Sequence, residues 1–147
     1  MQMSAKVYQG EIPPPVVRNI TQEKINLYAE ASGDFNPIHV DESFAVQTPL
    51  GGTIAHGMLI LAYVSEIMIQ SFGYGWLGGG KLSARFKTAA RPGDTVTVTG
   101  KVDSLEERNG VSYATCSLEC CNQKGETIVT AEAVAEVVEE REAHDRK

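Results

Sequence analysis

A carboxylic acid and an imidazole stand five residues apart at Asp34 and His39, in the sequence GDFNPIH. The glycine before the pair and the Asn36-Pro37 step within it disfavour regular helix, so residues 33–38 are predicted to form a turn that aims both side chains at one point. A carboxylate can take a proton from water, and an imidazole gives or accepts one near neutral pH. The pair suits acid–base chemistry on one water molecule. The structural alternative is that Asp34 caps the turn and His39 packs.

A second candidate element is the sequence AHGM at 55–58, where the longest apolar run of the chain begins. The first N–H groups of a helix are unsatisfied and carry the positive end of its dipole, so they can stabilise a carbonyl oxygen that gains negative charge. Gly57 would let a ligand approach them closely, or it serves only close packing against a sheet. Ser65 lies two helical turns further along, where it either lines the same cavity or bonds back to a carbonyl.

Other site chemistries have weaker support. No GxSxG sequence occurs and no cysteine lies at an evident electropositive helix start, so nucleophilic catalysis is not predicted. The stretch GWLGGGK at 75–81 resembles half of a phosphate-binding loop, but Leu82 follows where that motif needs Ser or Thr. Four residues have side chains that suit a metal, yet their spacing matches no standard ligand pattern and we predict no metal: Asp34, His39, Asp41 and His56.

Basic residues recur between Glu66 and Asp94, a stretch that contains no acid. Lys81, Arg85 and Lys87 share one face of a predicted strand by its two-residue period. A solvated strand face would explain them, and a phosphate-binding patch is the sharper alternative.

The composition sets limits on the whole chain. It has 147 residues, of which 42% are hydrophobic and 22% charged, and this is typical of one globular domain, assigned to residues 1–138 with a charged tail at 139–147. The net charge of -6 argues against nucleic acid or an anionic membrane as the main partner, and favours a small molecule. The longest apolar run is too short to span a membrane. An odd number of cysteines, three, predicts reduced thiols and a cytoplasmic location.

The first half of the chain is predicted to be helical. Thr21 is a good N-cap for a helix at 22–32, and Gly33 is suited to end it. A short helical turn is predicted within 41–46 and a loop at 48–53. Residues 55–71 are apolar nearly all round, which predicts a helix buried on most sides, followed by a glycine-rich loop at 73–80.

The second half alternates with period two and predicts four antiparallel strands in a meander. Three turns are expected to join them, at Pro92-Gly93, Asn109-Gly110 and Lys124-Gly125. A short opening strand is predicted at Lys6, Val7 and Tyr8. The result is an α+β domain in which an antiparallel sheet wraps around a long central helix.

Three segments resemble those of the MaoC-like dehydratases and (R)-specific enoyl-CoA hydratases. They are YAEASGDFNPIHVD at 28–41, AHGML at 55–59 and RFKTAARPGD at 85–94. The resemblance implies a hot-dog fold and a homodimer with sites near the subunit interface. The sequence departs from the family pattern at Ala31 and at Ala89-Ala90, which bears on the shape of the acyl pocket.

The resemblance also implies roles for single residues. Asp34 and His39 would be the catalytic pair, Gly57 the oxyanion donor and Ser65 a residue near the pair. Asn36 and His56 are assigned with them to the oxyanion and substrate-binding site. Lys81, Arg85 and Lys87 are our candidates for the phosphates of coenzyme A.

The implied activity is reversible hydration of a trans-2-enoyl-CoA to an (R)-3-hydroxyacyl-CoA. No cofactor is expected, since coenzyme A enters as part of the substrate and water supplies both added groups. Alternatives are a dehydratase acting on carrier-protein thioesters or on branched or dicarboxylic acyl-CoA, a hot-dog thioesterase, and a non-catalytic acyl-CoA binder.

Overall fold

The computed structural model describes residues 9–11 and 13–138 of the chain. The predicted opening strand at residues 6–8 and the charged tail at 139–147 lie outside them. The described elements follow one another as β1 Val16–Asn19, α1 Gln22–Ser32, α2 Pro37–Val40, α3 Glu42–Ala45, α4 Gly57–Phe72, α5 Tyr74–Leu77, β2 Lys81–Phe86, β3 Thr95–Arg108, β4 Val111–Cys121 and β5 Thr127–Glu136. Among these elements, no helix combines the length and the apolar character that crossing a membrane requires.

The five strands form one antiparallel sheet in the order β1-β3-β4-β5-β2. The predicted meander is right for β3, β4 and β5. Asn109 and Gly110 both have positive φ, which suits the two-residue turn of the β3–β4 hairpin. The meander is wrong for β2, which pairs with β5 at the far edge. The eight-residue connection at 87–94 does not make a tight turn. It takes the chain from β2 at one edge of the sheet to β3, which lies next to β1 at the other edge.

The long helix α4 packs in the hollow of this sheet. Its buried residues lie on the side that faces the sheet, and they are Leu59, Ile60, Val64, Ile67, Met68 and Phe72. On the other side Met58, Ala62 and Gln70 are exposed, so the prediction of a helix buried on most sides is wrong for this half, because the sheet covers only one side of the helix. Valines 96, 98 and 102 of β3 are buried on the facing side of the sheet. Because both layers contribute to one core, the start of α4 is held at a fixed place over the sheet.

The helices before α4 follow their local signals. Helix α1 has the predicted bounds: Thr21 accepts a hydrogen bond from the Lys24 N–H, and Gly33 ends the helix in the left-handed conformation with a φ of 77°. The predicted turn at 33–38 is too long, since α2 begins at Pro37, a residue suited to a first helical position. The predicted loop at 73–80 likewise contains a helical turn, α5.

Candidate active site

Asp34 lies in the irregular segment between α1 and α2, immediately after the left-handed Gly33. Its Oδ1 accepts a hydrogen bond from the Asn36 N–H at 3.2 Å. The Asp34 side chain is nevertheless 52% exposed, and its other oxygen points to His39. The carboxylate therefore supports the turn with one oxygen and leaves the second available for chemistry.

His39 lies in α2 and is buried, with 8% of its surface exposed. Its Nδ1 is 2.8 Å from the carbonyl oxygen of Ile54. Because a carbonyl only accepts hydrogen bonds, Nδ1 carries the proton and the Nε2 of the neutral ring carries a lone pair. This Nε2 lies 4.0 Å from Asp34 Oδ2.

The 4.0 Å between these two atoms exceeds the length of a direct hydrogen bond. A water molecule that bonds to both atoms fits this spacing. The structure thus brings the two predicted catalytic side chains together around a point that suits one water.

A polar network fixes the backbone of His39. Gln22 Nε2 donates to the His39 carbonyl at 2.8 Å, and Gln22 Oε1 accepts from the Thr53 hydroxyl at 2.7 Å. The Thr53 N–H in turn donates to Glu42 Oε2 at 3.1 Å. Sequence reasoning missed Gln22, because nothing local distinguishes it from any polar residue in the first turn of a helix.

The N-terminus of α4 lies beside this pair, with Gly57 as its first residue. The preceding His56 makes no side-chain cap, and among the described residues neither Gly57 nor Met58 has an acceptor for its backbone N–H. A Cβ built on Gly57 would lie 2.9 Å from the ring of Phe86. Both readings of Gly57 therefore have a basis here: the missing side chain makes room for the ring and keeps the backbone open.

His56 connects Asp34 and His39. Its Nε2 is 2.9 Å from the Asp34 carbonyl oxygen, and its ring is stacked on that of His39 with centroids 3.9 Å apart. The ring of Tyr28 also lies next to the His56 imidazole, with the ring centroids 4.8 Å apart. The role of His56 in substrate binding stays a prediction.

Ligand atoms of Asp34, His39 and His56 all lie within 4.8 Å of one another. The planes of the two stacked imidazoles are only 26° apart, so their in-plane lone pairs lie in two nearly parallel planes. One nitrogen of each ring already bonds to a backbone carbonyl. Asp41, the fourth candidate ligand, instead accepts from the Phe44 N–H at 3.1 Å and caps α3.

Two other predicted residues have specific contacts. The Ser65 hydroxyl accepts a hydrogen bond from Trp76 Nε1 at 2.8 Å, which ties α4 to α5. Ser65 is about 12 Å along the helix axis from Gly57, and its place in the pocket stays a prediction. Asn36 Oδ1 accepts from the Ile38 N–H at 3.3 Å and so caps α2.

The sequence profile of the MaoC-like domain matches residues 6–119. The chain belongs to the MaoC-like family. This confirms the predicted family, and the sheet wrapped on α4 is the predicted hot-dog fold.

Several curated proteins and solved structures of other proteins are similar to this MaoC-like protein. An (R)-specific enoyl-CoA hydratase of Rhodospirillum rubrum is 34% identical over 127 residues, covering 83% of each chain. A 3-hydroxybutyryl-CoA dehydratase of Methylorubrum extorquens is 32% identical over 86% of this chain and 78% of its own. The unliganded R-hydratase PhaJ1 of Pseudomonas aeruginosa superposes with a TM-score of 0.80 at 28% identity, over 92% of this chain and 85% of its own.

The basic residues of this MaoC-like protein lie on the sheet face opposite α4. Leu82 and Ala84 of β2 pack against the core, so Lys81 and Arg85 point outward and Lys87 follows the strand. Arg85 lines an open cavity of about 340 Å³ together with Ser83, Ser117, Thr130, Ala131 and Glu132. Binding of phosphates by these residues stays a prediction.

The cysteines of the MaoC-like protein take no part in the site. Burial raises the pKa of Cys116 and of Cys120 to about 12, with a smaller contribution from Asp103 for the former. Burial also raises the pKa of the half-buried Cys121. All three thiols are free, and the raised pKa values keep them in the protonated, weakly nucleophilic form near neutral pH.

Proposed function

We propose that this protein adds water reversibly to a trans-2-enoyl-CoA and forms an (R)-3-hydroxyacyl-CoA. The observation that carries this proposal is the 4.0 Å separation of Asp34 Oδ2 and His39 Nε2 beside the open N-terminus of α4. A relative that is 34% identical is named an (R)-specific enoyl-CoA hydratase, and it supports the same reaction.

In the proposed reaction, the two side chains move one proton between them. Asp34 takes a proton from the water as the water oxygen bonds to C3 of the enoyl group. The electrons of the C2–C3 double bond shift toward the thioester carbonyl and leave an enolate with negative charge on its oxygen. Asp34 then passes its proton to the lone pair of His39 Nε2, and His39 delivers this proton to C2 as the thioester carbonyl re-forms. The water thus supplies a hydroxyl at C3 and a hydrogen at C2, so the reaction needs no metal or redox cofactor. Each positioned acid or base contributes roughly 10²–10⁴-fold in rate.

The negative charge on the thioester oxygen needs donors that are already in place. The backbone N–H of Gly57 has no acceptor among the described residues and lies at the positive end of α4. One such donor is worth about 10²–10³-fold in kcat. In our proposal the acyl thioester therefore lies with its carbonyl at Gly57, and Asn36, His56 and Ser65 belong to the surrounding site.

We infer that the working protein is a homodimer. Three apolar side chains next to the site are more than half exposed in the single chain: Phe35 at 57%, Met58 at 59% and Phe86 at 56%. A second copy would cover them and keep water out of the thioester site. The nucleotide of coenzyme A would lie toward Lys81, Arg85 and Lys87, and the free thiols favour the cytoplasm as the location.

The reverse of this reaction is the dehydration of a 3-hydroxyacyl thioester, which a dehydratase catalyses. A 3-hydroxyacyl-thioester dehydratase Z of Mycobacterium tuberculosis is 37% identical over 106 residues, covering 67% of this chain and 68% of its own. Incubating the protein with (R)- and (S)-3-hydroxyacyl-CoA measures this direction and its stereochemistry.

Purified protein with crotonyl-CoA tests the proposal. We expect the absorbance of the conjugated enoyl thioester to fall without release of free thiol, and the product to be the (R) isomer. Release of free thiol would indicate a thioesterase instead. No change with any member of a panel of enoyl-CoAs of increasing length would contradict catalysis and favour a binding protein.

A further inference from the structure

His56 is the least exposed polar side chain near the site, with 2% of its surface accessible. Its Nε2 faces the carbonyl oxygen of Asp34 at 2.9 Å. A carbonyl cannot donate, so this nitrogen carries the hydrogen. Its Nδ1 is buried and has no hydrogen-bond partner among the described residues. These two observations assign the hydrogen to Nε2 and the lone pair to Nδ1.

The hydrogen bond from His56 reaches the backbone of Asp34 and not its carboxylate. This matters because the Asp34 side chain is 52% exposed and no cation lies against it in the described residues. Its orientation depends on two backbone groups: the Asn36 N–H that bonds to Oδ1, and the Asp34 carbonyl that His56 holds. The second of these fixes the Cα from which the carboxylate projects.

The same side chain also reaches the other member of the pair. The ring of His56 is stacked on that of His39, with the ring centroids 3.9 Å apart. The backbone carbonyl of His56 accepts a hydrogen bond from the Leu59 N–H at 3.1 Å, in the first turn of α4. One buried residue therefore contacts Asp34 and His39 and directly precedes Gly57. Each of these three residues has a role in the proposed hydration.

We propose that His56 is a positioning residue, whose Nε2–H bond to the Asp34 carbonyl sets the distance between Asp34 and His39. This inference rests on the proposed function. It gives His56 an effect on the rate of the chemical step that acts through Asp34 and His39. Loss of the bond lets the turn at 33–36 relax, and a shift of about 1 Å in a catalytic group can cost roughly 100-fold in rate.

Two substitutions separate the hydrogen bond from the ring. His56→Gln keeps an N–H donor at nearly the reach of Nε2 and loses the aromatic face. His56→Phe keeps a planar ring against His39 and loses the donor. Ile128→Val is a control for stability, since this side chain is buried in the core and the change removes one methyl group.

The readouts are kcat and KM on crotonyl-CoA and the midpoint of thermal unfolding. We expect His56→Phe to lower kcat about 10- to 100-fold and to change KM by less than about twofold. His56→Gln should retain most of kcat, and Ile128→Val should lower the unfolding midpoint without lowering kcat. A glutamine variant as slow as the phenylalanine variant, or a loss confined to KM, would overturn the inference.

A spectroscopic test covers the case in which His56→Phe does not fold. The chain has only 3 histidines, so ¹⁵N-histidine spectra of the wild-type protein resolve each ring. Hydrogen on Nε2 and none on Nδ1 supports the assignment, and the opposite tautomer overturns it. A wild-type protein inactive on all enoyl thioesters contradicts the proposed function and leaves this spectrum as an independent result.

Discussion

The ring of Phe86 lies against Gly57 so closely that a methyl group on that glycine would come within 2.9 Å of it. Phe86 ends an edge strand and Gly57 begins the central helix, and the two are 29 residues apart in the chain. The contact joins sheet and helix at the place where the thioester carbonyl would bind. It also means that a substitution at Gly57 has two effects, one on packing and one on the backbone N–H.

A double substitution separates these two effects. Gly57→Ala should destabilise the protein by about 1–3 kcal/mol through overpacking. Its methyl group should also keep the thioester oxygen away from the backbone N–H, which lowers kcat by up to about 10²–10³-fold, the value of one oxyanion donor. Adding Phe86→Ala removes the ring that clashes, so the unfolding midpoint should rise again while kcat stays low. Thermal unfolding and enoyl-CoA kinetics on the single and double variants measure both. Full recovery of kcat in the double variant would mean that Gly57 serves packing alone.

Replacing Asp34 by Asn should silence the enzyme without unfolding it. The amide cannot take a proton from water, so kcat should fall by about 10²–10⁴-fold. The side chain is 52% exposed, and the amide oxygen can still accept from the Asn36 N–H, so the unfolding midpoint should stay close to wild type. Asp41→Asn is the matched control, because it makes the same change of charge at a helix cap that tolerates Asn. Equal losses in both variants would contradict a catalytic role for Asp34.

The basic residues of β2 provide a test of how coenzyme A binds. Lys81→Gln with Arg85→Gln should raise KM for an enoyl-CoA several-fold, since an exposed charge pair is worth about 0.2–1 kcal/mol. KM for the same acyl group on N-acetylcysteamine, which has no phosphates, should not change. Lys124→Gln, in the exposed turn before β5, serves as the control. A rise with both thioesters would show that the two side chains do not bind the nucleotide.

The cysteines predict a dependence of stability on pH. The pKa of Cys116 and Cys120 is raised to about 12 in the folded protein, above the ordinary value of 9.0. Their contribution to stability is present below pH 9 and is lost as pH rises toward 12, because the unfolded thiols ionise first. The free energy of unfolding, measured with denaturant at pH 8 and at pH 10.5, should fall less between these pH values in Cys120→Ala than in the wild-type protein. At pH 8, iodoacetamide should modify Cys121 well before the two buried thiols, as mass spectrometry of the folded protein would show.

The elements around the site could be predicted wherever the signal was local. Thr21 and Gly33 mark the ends of α1 because capping depends on a few neighbouring residues. The apolar sequence of α4 likewise indicates a core helix, but which side of it is buried depends on the sheet that packs against it. Pro37 is also a local signal, since proline fits a first helical position, and the prediction that the turn extends through it is wrong.

The long-range relationships could not be predicted from patterns. Alternation shows that β2 is a strand, but pairing with β5 depends on a connection whose path no period records. The bond from His56 to Asp34 spans 22 residues, and residue types alone do not favour it over a packed histidine. Asp34 and His39 were recognisable because a short turn brings close neighbours together, whereas Gln22 reaches His39 only through the folded chain.

Arg85 and Phe86 are adjacent in β2 and occupy opposite faces of the sheet. The guanidinium faces solvent and the ring faces the catalytic helix solely because side chains alternate along a strand. Inserting or deleting one residue between Lys81 and Arg85 would exchange the faces of Arg85 and Phe86. It would place the cation over Gly57 and the aromatic ring in water. Length changes in this strand are therefore tolerable only in pairs, which makes its residue count as much a part of the enzyme as any side chain.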